Sequence, residues 1–262
     1  MTVNWIRRLE IFGAAALAFF TLEIGHVLAE TADDRIAEAI PFHRHIFTQG
    51  LEIAEDQLWV SSGGYGSSFL ARYSFPALEL QKIERLPAQL FAEGLTVIGS
   101  EVWLLTWRAR RLLRYDRDSL RYLGGASIPS EGWGLTHSPD YVWMSDGTHQ
   151  LRFAEKTLPL EWKILPVFDN GQPLNRLNEL EWVNGEIWAN VWQTDRLVRI
   201  HPESGQVLGD ITLDNLLPAS ERRPNTDVLN GIARDPASGG IWVTGKRWPW
   251  LYRLNDTILR SE

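Results

Sequence analysis

From Ile36 onward the apolar positions fall in short alternating runs separated by turn residues such as Asn184-Gly185 and Glu203-Ser204-Gly205, the pattern of half-buried strands. The runs repeat. Each copy opens on a related phrase: Phe47-Thr48-Gln49-Gly50-Leu51, Phe91-Ala92-Glu93-Gly94-Leu95-Thr96, Glu131-Gly132-Trp133-Gly134-Leu135-Thr136, Leu177-Asn178-Glu179-Leu180 and Leu229-Asn230-Gly231-Ile232. A tryptophan stands nine residues beyond the small position in four copies (Gly50 to Trp59, Gly94 to Trp103, Gly134 to Trp143, Glu179 to Trp188) and eleven beyond it in the fifth (Gly231 to Trp242). A third apolar run follows each tryptophan, at 70–73, 112–115, 151–153, 197–200 and 251–254. The copies begin 44, 40, 45 and 52 residues apart, measured between positions 50, 94, 134, 179 and 231. That period with that strand content predicts four-stranded propeller blades, a solenoid being the other architecture such a repeat permits. The fifth copy ends too soon after Leu254 for an outer strand of its own. Residues 36–45 can supply one, which closes the ring and removes two open sheet edges. The expected fold is all-β: a five-bladed β-propeller closed by an N-terminal strand that completes the last blade.

The residue before the small position changes from copy to copy, as Gln49, Glu93, Trp133, Asn178 and Asn230. Core repeats would carry apolar side chains there, so the series marks a site assembled from one contribution per blade, with Glu93 as the place for chemistry. A second set follows the tryptophan strands: Thr106-Trp107-Arg108, Asn190-Val191-Trp192 and Thr244-Gly245-Lys246-Arg247-Trp248-Pro249. Glu93 to Trp107 and Asn178 to Trp192 are both fourteen residues, which puts the two tryptophans at equivalent positions facing one mouth. Trp59, Trp103, Trp143, Trp188 and Trp242 share one register and are expected in the blade cores. Trp107, Trp133 and Trp192 break that register and are expected as site walls.

Composition narrows the function. With 262 residues and 44% hydrophobic content the chain can bury a large core, expected as one domain over residues 30–262. A net charge of -7 without any Lys/Arg run argues against nucleic acid, which needs a basic footprint. Arg7 and Arg8 precede an apolar stretch over 11–22, and Val27-Leu28-Ala29 offers a cleavage site before Glu30, so residues 1–29 read as an export signal. The stretch falls short of the ~20 residues a span needs, although an uncleaved anchor is the alternative. The expected location is periplasmic or secreted, with no stable membrane partner once the signal is removed. The chain has no cysteine, so stability in an oxidising compartment rests on the core.

These phrases, together with Phe47-Thr48-Gln49-Gly50-Leu51-Glu52 and Asn178-Glu179-Leu180-Glu181-Trp182, resemble the plant and bacterial glutaminyl-peptide cyclotransferases over all five repeats. The resemblance implies a five-bladed propeller that turns an N-terminal Gln of a peptide or protein into pyroglutamate and releases ammonia, without a cofactor. It implies that Glu93 is the catalytic acid/base, carrying a proton from the attacking amine to the departing nitrogen. Lys246 resembles the family's lysine in the last blade and is matched to oxyanion stabilisation, a task the amides of Asn178 or Asn230 can also perform. Phe47, Phe91, Trp107, Trp133 and Trp192 would enforce the folded-back pose, with Gln49 and Glu52 binding substrate or orienting neighbours. Two influences on Glu93 oppose each other: desolvation by tryptophan raises its pKa and Lys246 lowers it.

No zinc site is expected. His43 and His45 lack the converging partners such a site needs. A calcium-dependent, lactonase-like hydrolase is one alternative, with Glu52, Glu93, Asn178 and Asn230 as candidate ligands. A propeller that binds peptides without chemistry is the other, and it would show a broad contact face rather than a small aromatic pocket with one acid.

Overall fold

The computed structural model describes residues 33–259; the expected export signal lies outside them. The first strand, β1 (Ile36–Pro41), is followed by blade one, β2 (Thr48–Ala54), β3 (Gln57–Ser62), β4 (Phe69–Ser74) and β5 (Leu80–Arg85). Blade two is β6 (Ala92–Ile98), β7 (Glu101–Thr106), β8 (Arg111–Asp116) and β9 (Tyr122–Ser127). Blade three is β10 (Leu135–His137), β11 (Tyr141–Met144), β12 (Gln150–Glu155) and β13 (Lys163–Pro166). A two-stranded ribbon, β14 (Phe168–Asp169) and β15 (Gln172–Pro173), leads to blade four, β16 (Leu177–Val183), β17 (Glu186–Val191), β18 (Arg196–Ile200) and β19 (Val207–Thr212). Blade five is β20 (Leu229–Arg234), β21 (Ile241–Gly245) and β22 (Trp250–Leu254), and β1 completes it, running antiparallel to β22 from Ile36↔Leu254 to Pro41↔Trp250. The ring is therefore closed as expected. The closing strand is shorter than the 36–45 stretch and stops at Pro41, leaving His43 and His45 in the turn beyond it.

Burial grades outward from the axis. Every residue of β2 but the last is buried, whereas β5 is exposed throughout. The five register tryptophans are all buried, between 0% and 4% exposed, as blade-core residues should be. In four blades the tryptophan lies directly across from an arginine on the third strand: Trp59↔Arg72, Trp103↔Arg114, Trp188↔Arg199 and Trp242↔Arg253. In blades two and four a glutamate two positions before the tryptophan joins them. Glu101 accepts from Trp103 Nε1 at 2.8 Å and Arg114 Nε at 2.7 Å, and Glu186 takes Trp188 and Arg199 in the same way. Blade three has Phe153 there instead, stacked on Trp143 with ring centroids 4.8 Å apart.

The small position of the repeat has a steric cause. A Cβ on Gly50 would press on the Leu95 nitrogen, one on Gly94 on the Leu135 nitrogen and one on Gly134 on the Asn178 carbonyl. Neighbouring inner strands thus meet backbone to backbone, which only glycine allows. Blade four departs, because Glu179 occupies the position and reaches across to other inner strands instead. Its carboxyl accepts from Ile232 N of blade five at 2.8 Å and Leu51 N of blade one at 3.3 Å, tying three blades together.

Candidate active site

Four inner strands carry a bulge at their first residues. Between β2 and β3 the pairing passes from Thr48↔Ser62 to Gly50↔Ser61, leaving Gln49 as the extra residue. The same two-against-one step falls at Glu93-Gly94 in β6, Asn178-Glu179 in β16 and Asn230-Gly231 in β20. A bulge re-aims a side chain out of the strand's alternation. Four of the five variable positions, Gln49, Glu93, Asn178 and Asn230, are therefore bulged residues, while Trp133 precedes β10, which pairs with β11 without a bulge. Trp107, Trp192 and Lys246 follow the second strands, which run antiparallel to the first, so both sets arrive at the same mouth.

They enclose a cavity of about 330 Å³ lined by Phe47, Gln49, Phe91, Glu93, Trp107, Trp133, Asn178, Trp192 and Lys246, joined by Gln193, Asp227 and Val228. The aromatic walls support each other. Phe91 meets Trp107 and Trp133 meets Trp192, each with centroids 5.4 Å apart and edges toward faces. Glu131 accepts from both Trp107 Nε1 (2.7 Å) and Trp133 Nε1 (3.3 Å), pinning two indoles from one carboxylate. Gly147, at φ +79°, leaves room for the Trp133 ring, which a Cβ would strike at 2.7 Å.

The polar groups inside the walls are largely unspent. Neither the Glu93 carboxyl nor Lys246 Nζ has a hydrogen-bond partner among the described residues, although Glu93 is 5% exposed and Lys246 likewise. Lys246 Nζ sits 5.0 Å from the Phe47 ring centroid. Burial pushes Glu93 well above the usual carboxylate range, helped by Glu131 and opposed by Lys246. Burial also pulls Lys246 below its ordinary value, against Glu93 and Asp227. Desolvation thus wins the contest that the sequence leaves open, and it brings an acid and a base toward each other in proton affinity.

Two residues of the sequence-derived set lie apart from the cavity. Asn230 is wholly buried beneath it, where its Oδ1 accepts from Asn178 Nδ2 at 2.9 Å and its Nδ2 donates to the Thr48 carbonyl at 2.9 Å. It orients Asn178 rather than facing the cavity. Glu52 is three residues further along β2, about 10 Å at ~3.3 Å per residue, and its two oxygens accept from Val97 N at 3.2 Å. The four candidate calcium ligands consequently do not converge, and no cluster of three His, Cys, Asp or Glu suited to a metal occurs among the described residues.

Glu52 instead belongs to a buried carboxyl group with Glu179 and Glu181, all three raised chiefly by burial, Glu52 to about 7. A carboxyl whose folded pKa exceeds its ordinary 4.5 contributes stability fully below that value and loses it as pH rises through about 7. Glu101 and Glu186, held low by arginine, act oppositely, losing their contribution in acid. Denaturant titrations should therefore show stability falling between about pH 4.5 and about pH 7, with Glu52 accounting for roughly 3 kcal/mol. Glu52→Gln, which still accepts from Val97 N, should flatten that slope; an unchanged slope would mean that Glu52 does not carry it.

Gln193, Asp227, Val228 and Glu131 escaped the sequence reading. Gln193 directly follows Trp192 and was within reach of the offset argument. Asp227 and Val228 lie in 213–228, a connection with no copy in the other blades, whose only trace is the long spacing of 52 between the last two copies.

Fold and site together define a five-bladed propeller with a desolvated acid–lysine pair in an aromatic pocket at one end of its channel. The glutamine cyclotransferase family model matches residues 14–255, and the chain belongs to that family. It is 35% identical over 240 residues to the glutaminyl-peptide cyclotransferase of Arabidopsis thaliana, covering 89% of this chain and 73% of that one. It also matches the crystal structure of Myxococcus xanthus glutaminyl cyclase with a TM-score of 0.77 and 32% identity, covering 84% of this chain and 94% of the other.

Proposed function

We propose that this protein is a glutaminyl-peptide cyclotransferase that closes an N-terminal Gln of a peptide or protein to pyroglutamate, with Glu93 carrying the proton. The observation that carries the mechanism is the Glu93 carboxyl, buried, free of hydrogen bonds to the described chain and aimed into an aromatic cavity. The α-amine attacks the side-chain amide carbon and a carbon–nitrogen bond forms. Glu93 takes the proton that the amine sheds and returns it to the amide nitrogen, which leaves as ammonia; the books of atoms balance with no added reactant. A carboxyl of raised pKa suits this, because a group that accepts and then donates works best near the operating pH. Lys246 and Asn178 face the cavity with donors for the oxygen that gains charge in the tetrahedral intermediate. Phe47, Phe91, Trp107, Trp133 and Trp192 hold the side chain folded back onto its own amine, and the effective concentration so gained supplies the larger share of the rate.

Incubating the purified protein with a Gln-initiated peptide, beside the same peptide acetylated at its amine, tests the reaction. Mass spectrometry should show loss of ammonia from the first alone, with or without a chelator. Intact free-amine peptide would overturn the reading, and loss of activity on chelation would favour a metal-dependent one. The export signal read in residues 1–29 supports a periplasmic or secreted location, where newly exposed peptide termini are the substrates at hand.

A further inference from the structure

Gln193, Asp227 and Val228 line a second hollow beyond the first, about 310 Å³, completed on its far side by Asp195 and Arg222. The two hollows share those three residues as a saddle, so a chain leaving the aromatic pocket over them enters the second. Gln193 holds a left-handed backbone, φ +62°, which residues other than Gly, Asn and Asp seldom adopt. Its side-chain amide has no partner among the described residues and stands exposed at the saddle.

The charges in the second hollow are unevenly satisfied. Asp227 Oδ1 accepts from Val228 N at 2.7 Å, and its carboxylate also faces Lys246. Asp195 is lifted by burial, opposed by the nearby Arg222, and takes the backbone N–H of Asn215. Arg222 is different. Its guanidinium lies 5.8 Å from the centroid of the fully buried Trp248 ring and near enough to Asp195 to draw that carboxyl down, yet it forms no close ion pair or side-chain hydrogen bond among the described residues. An arginine fork with its donors unspent suits a carboxylate.

We propose that the second hollow is the subsite for substrate residues following the N-terminal glutamine, with Gln193 facing the backbone of the second residue and Arg222 pairing with a carboxylate on the third. The inference rests on the cyclotransferase reading. The carboxylate is an acidic side chain or the free terminus of a tripeptide, and the substrates separate the two.

Turnover would be measured for glutamine amide, Gln-Ala-Glu-amide, Gln-Ala-Lys-amide, Gln-Ala-Ala-amide and Gln-Ala-Ala with a free carboxyl terminus. The Glu peptide should exceed the Lys peptide in kcat/KM by roughly 3- to 5-fold at low salt, the scale of one partly exposed ion pair, and the gap should narrow as salt screens it. The free-acid tripeptide should exceed its amide similarly if the terminus also reaches Arg222. Arg222→Glu should reverse both preferences while leaving glutamine amide, which ends in the first pocket, at its original rate. Equal rates for the Glu and Lys peptides, or a preference that survives Arg222→Glu, would overturn the subsite. No turnover of glutamine amide or of any peptide would overturn the cyclotransferase reading itself.

Discussion

Glu93→Gln should leave a folded propeller whose turnover of Gln-initiated peptides is lower by ~10² or more. The amide keeps the shape of the carboxyl and can still donate and accept hydrogen bonds, but it cannot take a proton and give it back. Stability should hold or rise, because the replacement removes a carboxyl that burial already pushes toward its neutral form. KM should change little, since the aromatic walls and Asn178 remain in place. Circular dichroism and single-turnover kinetics on the same preparation read both quantities. A folded Glu93→Gln protein with near-normal cyclisation would make Glu93 structural. The acid to examine next would then be Glu131, which Glu93 senses electrostatically, rather than the distant Glu52.

The largest effect on stability should come from removing the closing strand. A chain shortened through Phe42 loses β1, and with it the buried Ile36, Ala39 and Phe42 and the pairing along β22. Full burial of each large side chain is worth ~1.5 to 3 kcal/mol and each lost backbone bond ~1 kcal/mol. The sum approaches the 5 to 15 kcal/mol that typically holds a domain together. This truncation should therefore abolish the cooperative thermal transition or lower Tm by more than about 15 °C. Shortening only through Asp34 removes the Asp33–Arg35 pair, which is partly exposed, and should cost about 1 kcal/mol or less. Matching melting curves for the two truncations would show that β1 does not hold the ring shut.

The features legible in the sequence are those on which the backbone makes a demand in nearly every blade. The tryptophan must fill a blade core and the glycine must let two inner strands touch, so both recur at fixed offsets and reveal the number of blades. The residue before the glycine position is free of those demands, and its variation marks Gln49, Glu93, Trp133 and Asn178 as cavity residues. Outer strands were harder to see, because β5 is exposed on both faces and carries no alternation to read. Glu52 reads as a site residue from the sequence for a related reason. It is polar and close to Gln49 in the chain, but the strand carries it down the channel, where backbone N–H groups rather than solvent receive it. Asp227 and Val228 were invisible because a connection present once leaves no period.

The fully buried Asn230 and Glu179 stand in the same bulges that bring polar side chains to the pocket. With Asn230 buried beneath it, a cavity of about 330 Å³ has room for the tip of a chain and little more. A polypeptide can bring only its tip into such a place, and must trail at least a short unstructured leash behind it. On the proposed reading, clients should be sorted by how loosely they hold their first residues: a protein whose opening residue is tucked into its own body should stay untouched, and the same protein should be modified while it is still unfolded or after a protease has freed a new end.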